Sequence, residues 1–324
     1  MIEPVMADPA TIERRATENE DAPRDGVDQP TGTDGLLDLT LGLATRGSPP
    51  SRPRTVLRHV RHRFPLQLGR LLYPDPRCPD LAFVYVAMLS GGFVQGDRTT
   101  QRIVVQPGAR AHVTTLSASK IYGMPEHGAT QRIDLSVGAG ALLEWWPDPI
   151  IPFKGARFQQ EVTLTVDPQA ILLYGDLLLP GRMARQERHD YATYSTRVTA
   201  RRPDGTLLFA DTQALAPSPP GAPPFVTTLP TRQDTIGTAY VLAPRDDLDP
   251  LLAHLRAALA DLSPPCKDPS PGILAGSSLL PSDCGAVVRL LAPDGLTARR
   301  AMHAVWQCTR RALVGVPAPD VRKP

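Results

Sequence analysis

The sequence has little of what usually declares a function. Only four of its 324 residues are cysteine: Cys78, Cys266, Cys284 and Cys308. None stands in a Cys-x-x-Cys spacing, so neither a disulfide framework nor a zinc cage is indicated, and the thiols read as reduced. No run approaches the roughly 18 consecutive apolar residues that a membrane span needs. No apolar segment follows a basic start, as a secretion signal would require. There is no His-Glu-x-x-His, no Gly-x-Ser-x-Gly and no zinc-finger cadence. The formal net charge of +2 gives no general attraction to nucleic acid or lipid. These absences lead us to expect a soluble, cytoplasmic chain, with no nucleic-acid or membrane partner and no recognisable catalytic motif.

What is present is uneven. Residues 1–36 hold nine carboxylates against three arginines, so that this segment carries −6 and the remainder +8. It lacks apolar periodicity and reads as a disordered acidic tail, leaving 37–324 as one β-rich domain. Proline is plentiful, with 36 residues, about twice the usual share. Runs such as "PSPPGAPP" and "SPPCKDPSPG" mark Pro-rich loops near 215–225 and 263–283.

Between the loops the pattern is β. "LLDLTLGL" alternates with period two, and three later segments can be superposed: "QRIVVQPGARAHV" from Gln101, "QRIDLSVGAGALL" from Gln131 and "QEVTLTVDPQAIL" from Gln160. Each is a strand, a short Gly/Pro/Asp turn and a second strand, with offsets of 30 and 29 residues. Such a unit predicts stacked hairpins or coils, each covering the apolar face of the next. Two helices are expected late in the chain. "DPLLAHLRAALADL" has Asp249 as N-cap, Pro250 at the first position and a leucine face at 251, 255, 259 and 262. "TARRAMHAVWQCTRRALVG" sets Met302, Val305, Trp306 and Leu313 on one side, with Arg299, Arg300, Arg310 and Arg311 mostly on a solvated face and Gly315 as the stop. The fold class is therefore mainly β: a helicoid, solenoid-like two-layer stack with about two helices.

Within this pattern "SGGFVQGD" (Ser90–Asp97) concentrates three glycines and a carboxylate. A phosphate loop needs a lysine and a following helix, whereas this stretch leads into the strand "RIVVQ". It reads instead as a turn with positive φ or a close backbone approach, with Asp97 facing a turn amide or a cavity. Two more carboxylates stand in apolar strands: Glu144 in "ALLEWWPDP" and Asp176 in "ILLYGDLLLPGR". A charge there must be paired, protonated, hydrated or turned outward. Converging acids would suit a hard cation, an acid/base pair or a water-filled conduit. One alternative is a carbohydrate-active β-solenoid enzyme with Glu144 and Asp176 as its paired acids, which needs carboxyls about 5–9.5 Å apart.

Read together, "GGFVQGD", "GARAHVTTLSASKIY", "LEWWPDPIIPFKGARF" and "GDLLLPGRMARQE" follow one another as in the urease accessory proteins of the UreD (UreH) family, and the chain resembles that family over about residues 37–315. The motif positions are Gly91, Gly92 and Gly96, then Lys120 and Tyr122, then Pro147 and Gly155, then Gly181 and Arg182. The sequence departs from the family at Leu116–Ser119, and at Asp148 and Asp176, where Gln and Glu are usual. The resemblance implies a non-catalytic maturation factor with no tightly bound cofactor. Its partners would be the urease apoprotein, the helical accessory protein UreF and, through it, the GTPase UreG, with a homodimer within the complex. Nickel would pass transiently through an internal tunnel, lined or flanked by Asp97, Glu144 and Asp176.

Overall fold

The structure is a computed structural model that describes residues 32–44, 53–216, 234–262 and 272–320. The proline runs at 217–224 and 263–271, Cys266 and most of the acidic segment lie outside the described residues. The chain enters through β1 (Asp34–Leu43) and returns antiparallel as β2 (Thr55–Arg63). It crosses by the short β3 (Leu66–Leu68) to β4 (Ala82–Met88). It then winds through paired strands: β5 (Arg98–Val105) with β6 (Arg110–Thr115), β8 (Ala129–Val137) with β9 (Leu142–Trp145), and β11 (Arg157–Val166) with β12 (Ile171–Leu178). Short β7 (Ser119–Ile121) and β10 (Ile150–Pro152) lie on the returns. The hairpin of β13 (Thr193–Arg201) and β14 (Leu207–Leu215) precedes β15 (Thr235–Leu242), helix α1 (Leu248–Leu262), β16 (Leu274–Leu279), β17 (Gly285–Ala292) and helix α2 (Gly295–Val314).

Each coil places its first strand in a seven-stranded sheet and its second in a ten-stranded sheet. Neighbouring coils pair in parallel, β5 with β8 and β8 with β11 in one sheet, β6 with β9 and β9 with β12 in the other. The repeat is thus a solenoid-like stack of about four turns and not a series of hairpins. Its tight turns bond to one another, as Gly108 N–H does to Ala139 O at 3.0 Å. Alternation along each strand sends Leu39, Ile103, Leu135 and Leu164 inward against Val84, Ala111, Leu143 and Leu172. The outer face of the larger sheet is covered by α1 and α2 through a second core that includes Leu173, Val241, Leu255, Met302 and Val305.

Several expectations change in detail. Gln131 does register with Gln160, but its partner on β5 is Thr99. The first offset is therefore 32 residues, because the turn at Ala109 stacks on the one at Ala141, as the Arg110–Leu142 pairing requires. An even slip keeps every side chain on its face. Leu274–Leu279, expected within a Pro-rich loop, is an edge strand on β17, and β1 begins at Asp34 inside the acidic segment. Helix α1 starts at Leu248 after a short 3-10 turn, so Asp249 lies in its first turn instead of capping it. In α2 the cap is Asp294, which accepts from Thr297 N–H, and Gly315 ends the helix at φ 79°. Arg310 is not on the solvated face: one helical turn after Trp306, it is fully buried.

Candidate functional site

The glycine stretch resolves first. Gly91 and Gly96 have φ of 76° and 81°, and a Cβ on Gly92 would lie 2.5 Å from Lys120 O. Close approach and positive φ both apply. Asp97, 1% exposed, accepts from Thr33 N–H and Thr33 Oγ1, both at 2.8 Å, and from Val94 N–H at 2.9 Å. It ties the start of β1 to the turn.

Glu144 is fully buried on the helix-facing side of the larger sheet. Its Oε2 accepts from His112 Nδ1–H at 2.8 Å and from Trp306 Nε1–H at 3.0 Å. Arg310 Nη1 stands 3.6 Å from the other oxygen. Arg310 also donates to Asp75 at 3.0 Å, and Asp75 is likewise fully buried. A chain of enclosed charges thus fastens α2 to the sheet.

Asp176 is on the opposite face of the same sheet. Glu144 pairs with Leu173 across β9 and β12, and three residues further along β12 the side chain of Asp176 points between the sheets, where Gln160 Nε2 donates to it at 3.2 Å. Desolvation outweighs that bond and one from the Leu177 backbone, and pushes the Asp176 carboxyl up to about 6. Two acids on opposite faces, one of them inaccessible, cannot flank a glycosidic bond, so the carbohydrate-enzyme alternative is set aside.

Strand register then reveals residues that spacing alone did not single out. Thr99, Gln131, Gln160 and Thr196 occupy one row across four parallel strands. All four are buried and face inward. At about 4.8 Å per strand the row runs about 14 Å along the stack. Gln160 also donates to Tyr174 OH and Thr196 Oγ1, both at 3.2 Å. Thr99 Oγ1 in the row and Gln101 Oε1 beside it have no protein partner among the described residues, and buried polar atoms of this kind recruit ordered water. At one end a cavity of about 30 Å³ touches Gln101 and Gln131 together with Gly91, Ser119 and Lys120. At the other a space of about 10 Å³ touches Asp176 and Thr196.

Asp176 also borders a larger cavity of about 200 Å³ under α2, with His112, Asp148, Arg299 and His303 in its wall. The sheet is open there. β9 pairs with β12 only as far as Tyr174, and β10 resumes at Leu178, while Trp146–Pro149 leaves the sheet. Gly175 accommodates Trp146, whose ring a Cβ would meet at 2.7 Å. Burial holds the His303 imidazole below its ordinary range. Among the described residues, no three His, Cys, Asp or Glu side chains are grouped to hold a metal ion, and no helix is long and apolar enough to cross a membrane.

The returns from the larger sheet to the smaller one form a stacked end of loops. Leu89 N–H bonds to Pro65 O, Phe93 N–H to Lys120 O, and Phe153 N–H to Ile121 O. Of the thirteen exposed large apolar side chains among the described residues, seven belong to this end or its border with α2: Phe64, Leu89, Val94, Leu116, Tyr122, Met183 and Leu296. Of the motif residues, Tyr122 packs edge-on against Phe153, and Arg182 lies over that ring while bonding Glu187. Gly155 and Gly181 turn with φ of 73° and 137°. Pro147 lines the cavity under α2.

The family model described as UreD urease accessory protein matches residues 37–323. The urease accessory protein UreD 2 of Streptomyces griseus is 39% identical over 290 residues, covering 90% of this chain and 94% of the relative. UreD of Cenarchaeum symbiosum is 33% identical, with 90% and 97% covered, and UreD of Photorhabdus laumondii 31%, with 87% and 84%. The chain belongs to the UreD family of urease accessory proteins.

Proposed function

We propose that this chain matures urease by docking to the apoprotein and its accessory proteins and passing nickel ions through its own interior, with no chemistry of its own. The observation that carries the reading is the row Thr99–Gln131–Gln160–Thr196, oxygen- and nitrogen-bearing side chains at one register position on four neighbouring strands inside a largely apolar sandwich. A hydrated file of neutral amides and hydroxyls ending on a single carboxylate suits transit. Oxygen donors hold nickel more loosely than a His/Cys cage does.

In this reading Asp176 lines the path where the two sheets and the cavity under α2 meet. Glu144 flanks the path by fixing His112 and Trp306 in the cavity wall, and Asp97 shapes the glycine turn beside the other mouth. The apolar loop end supplies a docking surface, since exposed apolar patches of this kind mark protein contacts. A helical UreF-like partner, a UreG-like GTPase recruited through it, and a second copy of the chain remain part of the proposal, as does a cytoplasmic location.

Urease made with and without the chain, nickel supplied, tests this. The expected result is urease that accumulates without the chain but lacks nickel in its active site. Fully loaded urease in both cases would overturn the assignment.

A further inference from the structure

The gap in the larger sheet separates two spaces, and Asp176 borders both: the cavity under α2 and the small space between the sheets. On its β9 side, β12 has no strand partner between Tyr174 and Leu178 among the described residues. A way from one face of the sheet to the other therefore runs past Asp176. Gly175 and Leu177, on either side of it in sequence, also line the cavity.

One large side chain narrows this place. Trp146 follows β9 directly, and its backbone is held at both polar groups. Its N–H donates to Val113 O at 2.9 Å, and its O accepts from Thr114 Oγ1 at 2.7 Å. Its ring lies on Gly175, where a Cβ would meet Cε3 at 2.7 Å and Cδ2 at 2.9 Å. The ring also stacks with Trp306, 23° from parallel with the centroids 6.3 Å apart, and Trp306 is itself fixed by Glu144. Glycine inside a strand weakens it and marks the close approach of another group. Here that group is the indole, so strand stability at position 175 is given up to bring a ring beside the gap.

We infer that Trp146 sets the bore of the passage through the larger sheet, with Gly175 as its seat. The inference rests on the transit reading above. The narrowed gap admits a small ion with the water it carries and holds back organic molecules, including metal still bound to a small chelator. An ion reaches Asp176 from the cavity only after leaving such a carrier. Trp146 is thus a specificity-determining residue that touches the passage by its shape alone, without donating a ligand.

The test treats the purified full chain with a water-soluble carbodiimide and glycine ethyl ester, an organic probe of carboxyl groups, and follows each carboxyl by peptide mass spectrometry. In wild type, Asp176 should label slowly relative to the exposed Glu161. Trp146→Ala removes the ring and Gly175→Ala displaces it, and each should label Asp176 severalfold faster, while Trp146→Phe stays near wild type. Glu144, fully buried, should remain unlabelled throughout. A cycle in melting temperature checks the seat. Gly175→Ala should lower it by several degrees in the wild-type chain and by little in Trp146→Ala, where the added methyl no longer meets a ring. Unchanged labelling of Asp176 in both variants, an equal rise at Glu144, or the full cost of Gly175→Ala without the ring would overturn the inference. Failure of the transit reading itself would look different, because urease would then be loaded fully without the chain whatever the labelling of Asp176.

Discussion

Arg310 is an enclosed charge and Asp176 a part-buried one, and their surroundings give opposite expectations. Arg310 holds Asp75 and faces Glu144, all three without exposure. Replacing it by methionine removes the enclosed cation from both carboxylates, leaving Asp75 with the part-exposed Arg77 at 3.1 Å and Glu144 with its bonds to His112 and Trp306, which is expected to lower stability by about 3–5 kcal/mol. The midpoint of urea unfolding of the purified chain measures this. Asp176 has no cation partner among the described residues, and Gln160 offsets its desolvation only in part, so its carboxyl rises from 3.8 to about 6. The native state therefore binds this proton more tightly than the unfolded chain does. Its contribution to stability is full below about pH 4, falls as the pH rises through about 6, and is lost above that. Asp176→Asn should accordingly melt higher than wild type at pH 8, by at most about 3 kcal/mol, less what water in the adjoining cavities returns. The gap should close at pH 4. An equal gap at both pH values would show that ionisation of Asp176 is not the cause. Arg310 also shows what sequence alone concealed. Four arginines on one helix read as a solvated face, and only packing of α2 on the sheet reveals that position 310 follows Trp306 inward.

At the scale of elements, the glycine turn before β5 is fixed by contact as much as by conformation. A methyl on Gly92 would strike the Lys120 carbonyl of the next loop. Gly92→Ala should therefore cost on the order of 2 kcal/mol, whereas Gly276→Ala, with open space around it, should change the melting temperature little. Differential scanning calorimetry of both variants checks the contrast. The strand–turn–strand unit itself was legible, because period-two alternation and turn residues are local signals. Its first register was not. Matching Gln101 to Gln131 by residue identity gives an offset of 30, while the stacked turns demand 32 and pair Gln131 with Thr99. Edge strand β16 was also hidden, since Gly276, Ser277 and Ser278 have weak strand propensity and are held by pairing with β17.

For the whole molecule, parallel stacking turns a local pattern into a continuous one. A polar residue at one inward position is a defect in the core. The same position repeated over four parallel strands becomes a file through it. Gln131 and Gln160 were visible as the first residues of repeated segments, but their meaning needed the register of β5, β8, β11 and β13. The ion pair of Arg299 with Asp148 joins residues 151 positions apart, a distance over which one sequence carries no signal. The central claim, that nickel travels along this file, is tested most directly by closing it without disturbing the surface. Gln131→Leu keeps the side-chain volume and removes the amide beside the cavity at the loop end. Urease produced with this variant would be purified and its nickel per active site measured, with co-purification of the chain as the check on docking. The account predicts a chain that still docks and a urease clearly poorer in nickel than with the wild-type chain. A fully loaded urease with Gln131→Leu would contradict the path.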